Sequence, residues 1–140
     1  MIIVDTNIIA YLHVSGKFTP FALQLLEKDS SWIAPLLWQS EFRNLLLNYI
    51  RHDVMSLEEG INLMEDALIT MQDRELSPSS SLILSLAAES SLSAYDCEFV
   101  ALARELNRVL VTVDKQIIKV FPGTAISLEE AIKLEAPIRL

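Results

Sequence analysis

Asp5, Glu41, Asp96 and Asp114 are acids placed where elements of secondary structure would bring carboxylates to one point. Asp5 follows the apolar run Ile2-Ile3-Val4, and Asp114 follows Val109-Leu110-Val111-Thr112-Val113, so both acids end β-prone segments. In a parallel sheet, ligand sites form beyond the carboxyl ends of strands, where the chain order reverses. Glu41 and Asp96 lie in helical stretches able to add two further carboxylates. Carboxylates crowded together stay ionised only when a cation offsets their repulsion. The chemistry suggested is Mg²⁺- or Mn²⁺-dependent hydrolysis of a phosphodiester. Oxygen donors suit these hard cations, whereas zinc favours His and Cys. His13 and His52 have no partner at ligand spacing and Cys97 is the one cysteine, so a zinc site is not expected.

Each acid also has a plainer reading. An Asp after a strand often caps the next helix, which applies to Asp5 and to Asp114 before Lys115. Thr6 and Asn7 are also good caps, which would free Asp5 from that task and leave Asn7 to orient its carboxylate. Glu41 could sit on a solvated face with Arg43 and Asn44, and Asp96 could be a first-turn acid favoured by the helix dipole. Thr112 lies one alternation before Asp114, on the same side of the strand end.

The elements that must position these residues follow from period and punctuation. Strands are expected at 2–4, 32–34 and 109–113, with shorter ones at 74–76 and 125–126. Helices are expected over 7–14, 18–28, 36–51, 57–71, 79–91, 94–106, 115–120 and 128–134. Ser56-x-x-Glu59 and Ser127-x-x-Glu130 have capping-box spacing, and Ser93-x-x-Asp96 resembles them. Alternating strands and helices indicate an α/β sandwich around a parallel sheet.

At 140 residues the chain is expected to form one domain spanning 1–140, and its 51% hydrophobic content excludes a disordered chain. Eleven Lys and Arg against 19 Asp and Glu give a formal charge of −8, which argues against a passive nucleic-acid binder with a basic face. It argues less against a metal-dependent nuclease, and it suits a basic protein partner. No run of roughly 18 apolar residues marks a membrane span, and Asp5 interrupts any signal-peptide core. With the lone cysteine, these features point to a cytoplasmic protein without a membrane partner.

The four stretches Ile3-Val4-Asp5-Thr6-Asn7, Ser40-Glu41-Phe42-Arg43-Asn44, Ser93 to Ala103 and Leu110-Val111-Thr112-Val113-Asp114, in this order, resemble a PIN-domain ribonuclease of the VapC toxin kind. Asp-Thr-Asn alone is a weak signal; the four together span nearly the whole chain. The resemblance implies a three-layer α/β/α PIN fold with a central parallel sheet. It implies an endoribonuclease of a type II toxin–antitoxin pair, in which Asp5, Glu41, Asp96 and Asp114 hold one or two Mg²⁺ or Mn²⁺ ions. It further implies supporting roles for Asn7, Ser93 and Thr112, an RNA substrate, a cognate antitoxin and a homodimer. Cys97 departs from the family, which often has Ala there. Arg43, Arg51, Lys17 and Lys115 are the candidates for gripping RNA.

Two other functions fit acids at strand ends. A phosphoaspartyl domain needs a Lys ending a late strand, where this chain has Asp114, and the Asp-x-Asp of phosphatases is replaced by Asp5-Thr6-Asn7. A non-catalytic PIN-fold module binding RNA or protein would have no need of the acid quartet.

Overall fold

β-Branched residues pack well on a pleated surface buried on both sides, and a strand so buried reads as a continuous apolar run. The computed structural model, which describes residues 1–140, places β1 at Ile2–Val4, β2 at Trp32–Ile33, β3 at Leu110–Thr112 and β4 at Ala125–Ser127. All pairings are parallel, in the order β2-β1-β3-β4. Ile3 pairs with Ile33 on one side and Leu110 on the other, and Val111 pairs with Ile126.

Alternation along the strands feeds two cores. Ile2, Val4, Val109, Val111 and Ile126 face one side. There they meet α1 (Thr6–His13), α2 (Thr19–Lys28), α3 (Leu37–Arg51), α4 (Leu57–Thr70) and α8 (Leu128–Lys133). Ile3, Ile33, Leu110 and Ala125 face the other side, against α5 (Ser80–Ala88), α6 (Ala94–Leu106) and α7 (Lys115–Val120). The result is the expected three-layer α/β/α sandwich. Cys97 is fully buried in the second core.

Leaving β1, the chain builds β2 on one flank and later β3 on the other, so the order reverses between β1 and β3. A crevice at that reversal is the favoured ligand position in open α/β sheets. Asp5 and Asp114 lie just beyond the ends of these two strands.

Three of the departures from the expected elements have a clear local reason. β3 stops at Thr112 because the N–H of Val113 turns to the Asp5 carboxylate, 3.2 Å away, instead of a ladder partner. The strand expected at 74–76 is a single bridge between Ala34 and Glu75, bounded by Ala34 N to Arg74 O and Leu76 N to Ala34 O, both 3.1 Å. α5 ends at Ala88 rather than 91. The Ser90 hydroxyl donates to Leu86 O at 2.8 Å and accepts from Leu92 N at 3.2 Å, which turns the chain out of the helix. The capping box at Ser56 and Glu59 forms in full.

Candidate metal-binding site

One pocket of about 340 Å³ at the β1–β3 reversal is lined by Asp5, Glu41, Asp96 and Asp114, together with Thr6, Asn7, Asn44 and Asn48. The four acids arrive from four elements: the end of β1, the middle of α3, the first turn of α6 and the end of β3. None of the lining residues is Lys, Arg or His.

Asp5 is the most constrained. Its Oδ1 accepts from Ile8 N at 3.2 Å, capping α1, and its Oδ2 accepts from Val113 N at 3.2 Å and from the Thr112 hydroxyl. The expectation that Thr6 or Asn7 would do the capping is corrected: Asp5 caps, because only a residue with extended backbone (φ −80°, ψ 170°) ahead of the helix can turn its side chain back onto the third N–H. Asn7 reaches this carboxylate through its backbone, while its exposed side chain lines the pocket. The side chain that bonds Asp5 is Thr112. Burial pushes the Asp5 carboxyl up to about 6, with the hydrogen bond from Thr112 and the backbone N–H groups pulling the other way.

Glu41 is half-buried and accepts a 2.7 Å hydrogen bond from the Thr6 hydroxyl. Burial raises its carboxyl above the usual range, Thr6 opposes this, and the Asp96 charge adds to the rise. Asp114 caps α7, its Oδ1 accepting from Gln116 N at 2.9 Å and Ile117 N at 3.2 Å. Asp96 differs from the others: its backbone N–H is taken by the Ser93 hydroxyl at 3.1 Å, while its carboxylate has no partner within the protein. Ser93 therefore acts on Asp96 as the cap of α6 and does not itself line the pocket.

Of the basic candidates, Arg43 is exposed, bonds to Ser40 and faces a groove between α3 and α4. Arg51 and Lys115 are exposed and lie outside the acid pocket. Lys17 borders a neighbouring cleft. Thr6, Asn44 and Asn48 went unnoticed as pocket residues in the sequence. The signal for the two amides was spacing, since Glu41, Asn44 and Asn48 stand at i, i+3 and i+7 and so share one helical face.

Oxygen-only donors, a buried carboxylate held by three donors and a lining without cations match the chemistry of a hard divalent ion. As placed, no three of the carboxylates stand within joint reach of one ion. Asp96 is the one of the four acids whose carboxylate makes no hydrogen bond within the protein.

A family model described as PIN domain matches residues 2–121. Among solved structures, the chain is similar to the crystal structure of PAE2754 from Pyrobaculum aerophilum, with a TM-score of 0.75 and 20% identity over 94% of this chain and 92% of that one. No curated protein matches the sequence.

Proposed function

This chain belongs to the PIN domain family, a superfamily of nucleases that typically depend on a metal, and from that membership we propose that it is a metal-dependent endoribonuclease, the toxin of a type II toxin–antitoxin pair. In this reading residues 1–140 act as one PIN domain. The observation that carries it is the convergence of Asp5, Glu41, Asp96 and Asp114 on one pocket without a basic side chain.

These four acids would hold one or two Mg²⁺ or Mn²⁺ ions. When bound, such a cation stabilises charge developing on phosphate and makes water more acidic. The chain's own residues do the positioning. Thr112, Val113 N and Ile8 N hold Asp5 still, Thr6 holds Glu41, and the first N–H groups of α7 hold Asp114. An attacking water must give up a proton. One of the two strand-end carboxylates, Asp5 or Asp114, would orient that water.

A cognate antitoxin and a second copy of the chain complete the reading. The apolar groove between α3 and α4, where Leu47, Leu57 and Ile61 are exposed, supports a protein-bound state. A cytoplasmic location is consistent with the finding that no helix is long and apolar enough to cross a membrane.

One observation favours a second reading, a non-catalytic module: three carboxylates do not yet stand within reach of one ion. Nothing favours phosphotransfer, since Lys115 is exposed and outside the pocket.

The deciding experiment is incubation of total cellular RNA with purified protein in Mg²⁺ or Mn²⁺, in EDTA, and beside Asp96→Asn. Discrete products that need the metal and vanish in the variant are expected. RNA binding without cleavage, indifferent to metal and to the variant, would establish the module instead.

A further inference from the structure

The acid pocket does not end at its carboxylates. Asn7 and Leu45 line it and also line a second cleft of about 170 Å³, between α1, the α1–α2 turn and α3. That cleft adds Tyr11, Phe18 and Tyr49, with Lys17 as the one cation on its walls.

Phe18 and Tyr49 belong to neither hydrophobic core, and Phe18 is 36% exposed. Phe18 packs against Tyr11 and Phe21, which border the first core, and still remains partly exposed. Tyr49 forms no ring pair with another aromatic residue. Phe18 sits 4.9 Å from Tyr11, ring centroid to centroid, with Lys17 Nζ 5.0 Å from the Phe18 centroid. The turn that presents Lys17 and Phe18 is fixed. The Thr19 hydroxyl donates to Tyr11 O at 2.7 Å and accepts from Gly16 N at 3.0 Å, tying the turn to the end of α1.

A chain of charge −8 gains little from general attraction to phosphates. Stacking of bases on aromatic rings does not depend on charge, and it is available only to a base free of its helical stack. We propose that this cleft receives one unpaired base of the substrate strand, stacked beside Phe18 and Tyr49, with Lys17 on the adjoining phosphate. The proposal rests on the nuclease reading for its neighbour, the acid pocket, but makes a binding prediction of its own.

The test uses a single-stranded RNA octamer carrying one 2-aminopurine, whose fluorescence falls on stacking, titrated in Ca²⁺ with the full chain. Wild type, Phe18→Leu, Tyr49→Leu, Tyr49→Phe and Lys17→Ala are compared, and the octamer is also offered annealed to its complement. The expected results are quenching with wild type and Tyr49→Phe, and binding about 5- to 150-fold weaker with the quench lost in the two Leu variants. Lys17→Ala should weaken binding and flatten its salt dependence. The duplex should bind more weakly than the single strand. Leu variants that melt like wild type yet bind and quench like it would overturn the proposal, as would equal affinity for the duplex. If RNA is cleaved in a metal-dependent way but kcat/KM is unchanged in both Leu variants, the nuclease reading stands and the cleft falls. If the octamer binds and quenches but no RNA is cleaved, the cleft stands and the nuclease reading falls.

Discussion

Thr112 donates its hydroxyl proton to Asp5 Oδ2 and accepts on the same oxygen from the Asp114 backbone N–H at 3.1 Å. One buried side chain thus sets the position of two acids that end neighbouring strands. Thr112→Val keeps the shape and deletes both bonds, leaving polar groups without partners in a buried site. The variant should lose about 1–3 kcal/mol of stability and about 10- to 100-fold in nuclease activity or metal affinity. Thr112→Ser should recover most of both. Urea denaturation and cleavage rates at several Mg²⁺ concentrations check this; a Val variant as active as wild type would show that Thr112 does not position Asp5.

Asp96 and Asp5 should separate function from folding. The Asp96 carboxylate bonds to nothing in the protein, so Asp96→Asn should abolish cleavage with a melting curve close to wild type. Asp5→Ala removes a helix cap and the acceptor for Thr112 and Val113, so it should lose cleavage and also about 1–3 kcal/mol of stability. Equal melting temperatures for Asp5→Ala and wild type would contradict the structural half of its role.

Stability without metal should depend on pH through Asp5. Its carboxyl rises from an ordinary 3.8 to about 6 in the folded chain, so the fold prefers the protonated form. That contribution is fully present below about pH 3.8 and is lost as pH climbs through about 6. A shift of this size corresponds to about 3 kcal/mol. In EDTA, the stability of Asp5→Asn relative to wild type should therefore rise by about that amount from pH 4 to pH 8. Saturating Mg²⁺ at pH 8 should shrink the gap by stabilising the wild-type carboxylate. A difference that stays flat with pH in denaturant titrations would rule out the raised carboxyl.

Glu75 should matter to α3 although it is outside the acid pocket. Its Oε2 accepts from Trp38 Nε1 at 3.0 Å and from Gln39 Nε2 at 2.5 Å, at the start of the helix that carries Glu41. Trp38 is fully buried, so Glu75→Ala strands its N–H and should cost about 2 kcal/mol in chemical denaturation. Glu75→Gln, which keeps an acceptor, should cost much less. Similar losses in the two variants would assign the effect to charge rather than to the Trp38 bond.

The strands and helices were readable because their signals are local. Continuous β-branched runs marked β1 and β3, and Ser-x-x-Glu marked α4 and α8. The four acids were readable as strand-end and helix positions. Their hydrogen bonds were not. That Asp5, rather than Thr6 or Asn7, caps α1 depends on backbone angles at one residue. That β3 ends a residue early depends on Val113 meeting Asp5 from far along the chain. Likewise Thr6 was free to serve Glu41 only once α1 and α3 lay side by side. Partners separated by dozens of residues leave no periodic trace, and the presence of Tyr49 in one cleft with Tyr11 and Phe18 belongs to the same class.

The order β2-β1-β3-β4 also bears on when the protein can act during its own synthesis. Asp5 and Thr112 are 107 residues apart in the chain, and the strands they end lie side by side. Contacts of such long sequence separation form late and slow folding. A ribosome that has released Asp5 and Glu41 has made half of the acids, while the wall that carries Asp96 and Asp114 is not yet translated. The acid pocket is completed by the last central strand to emerge, so a chain that stops short of β3 carries only half of the quartet.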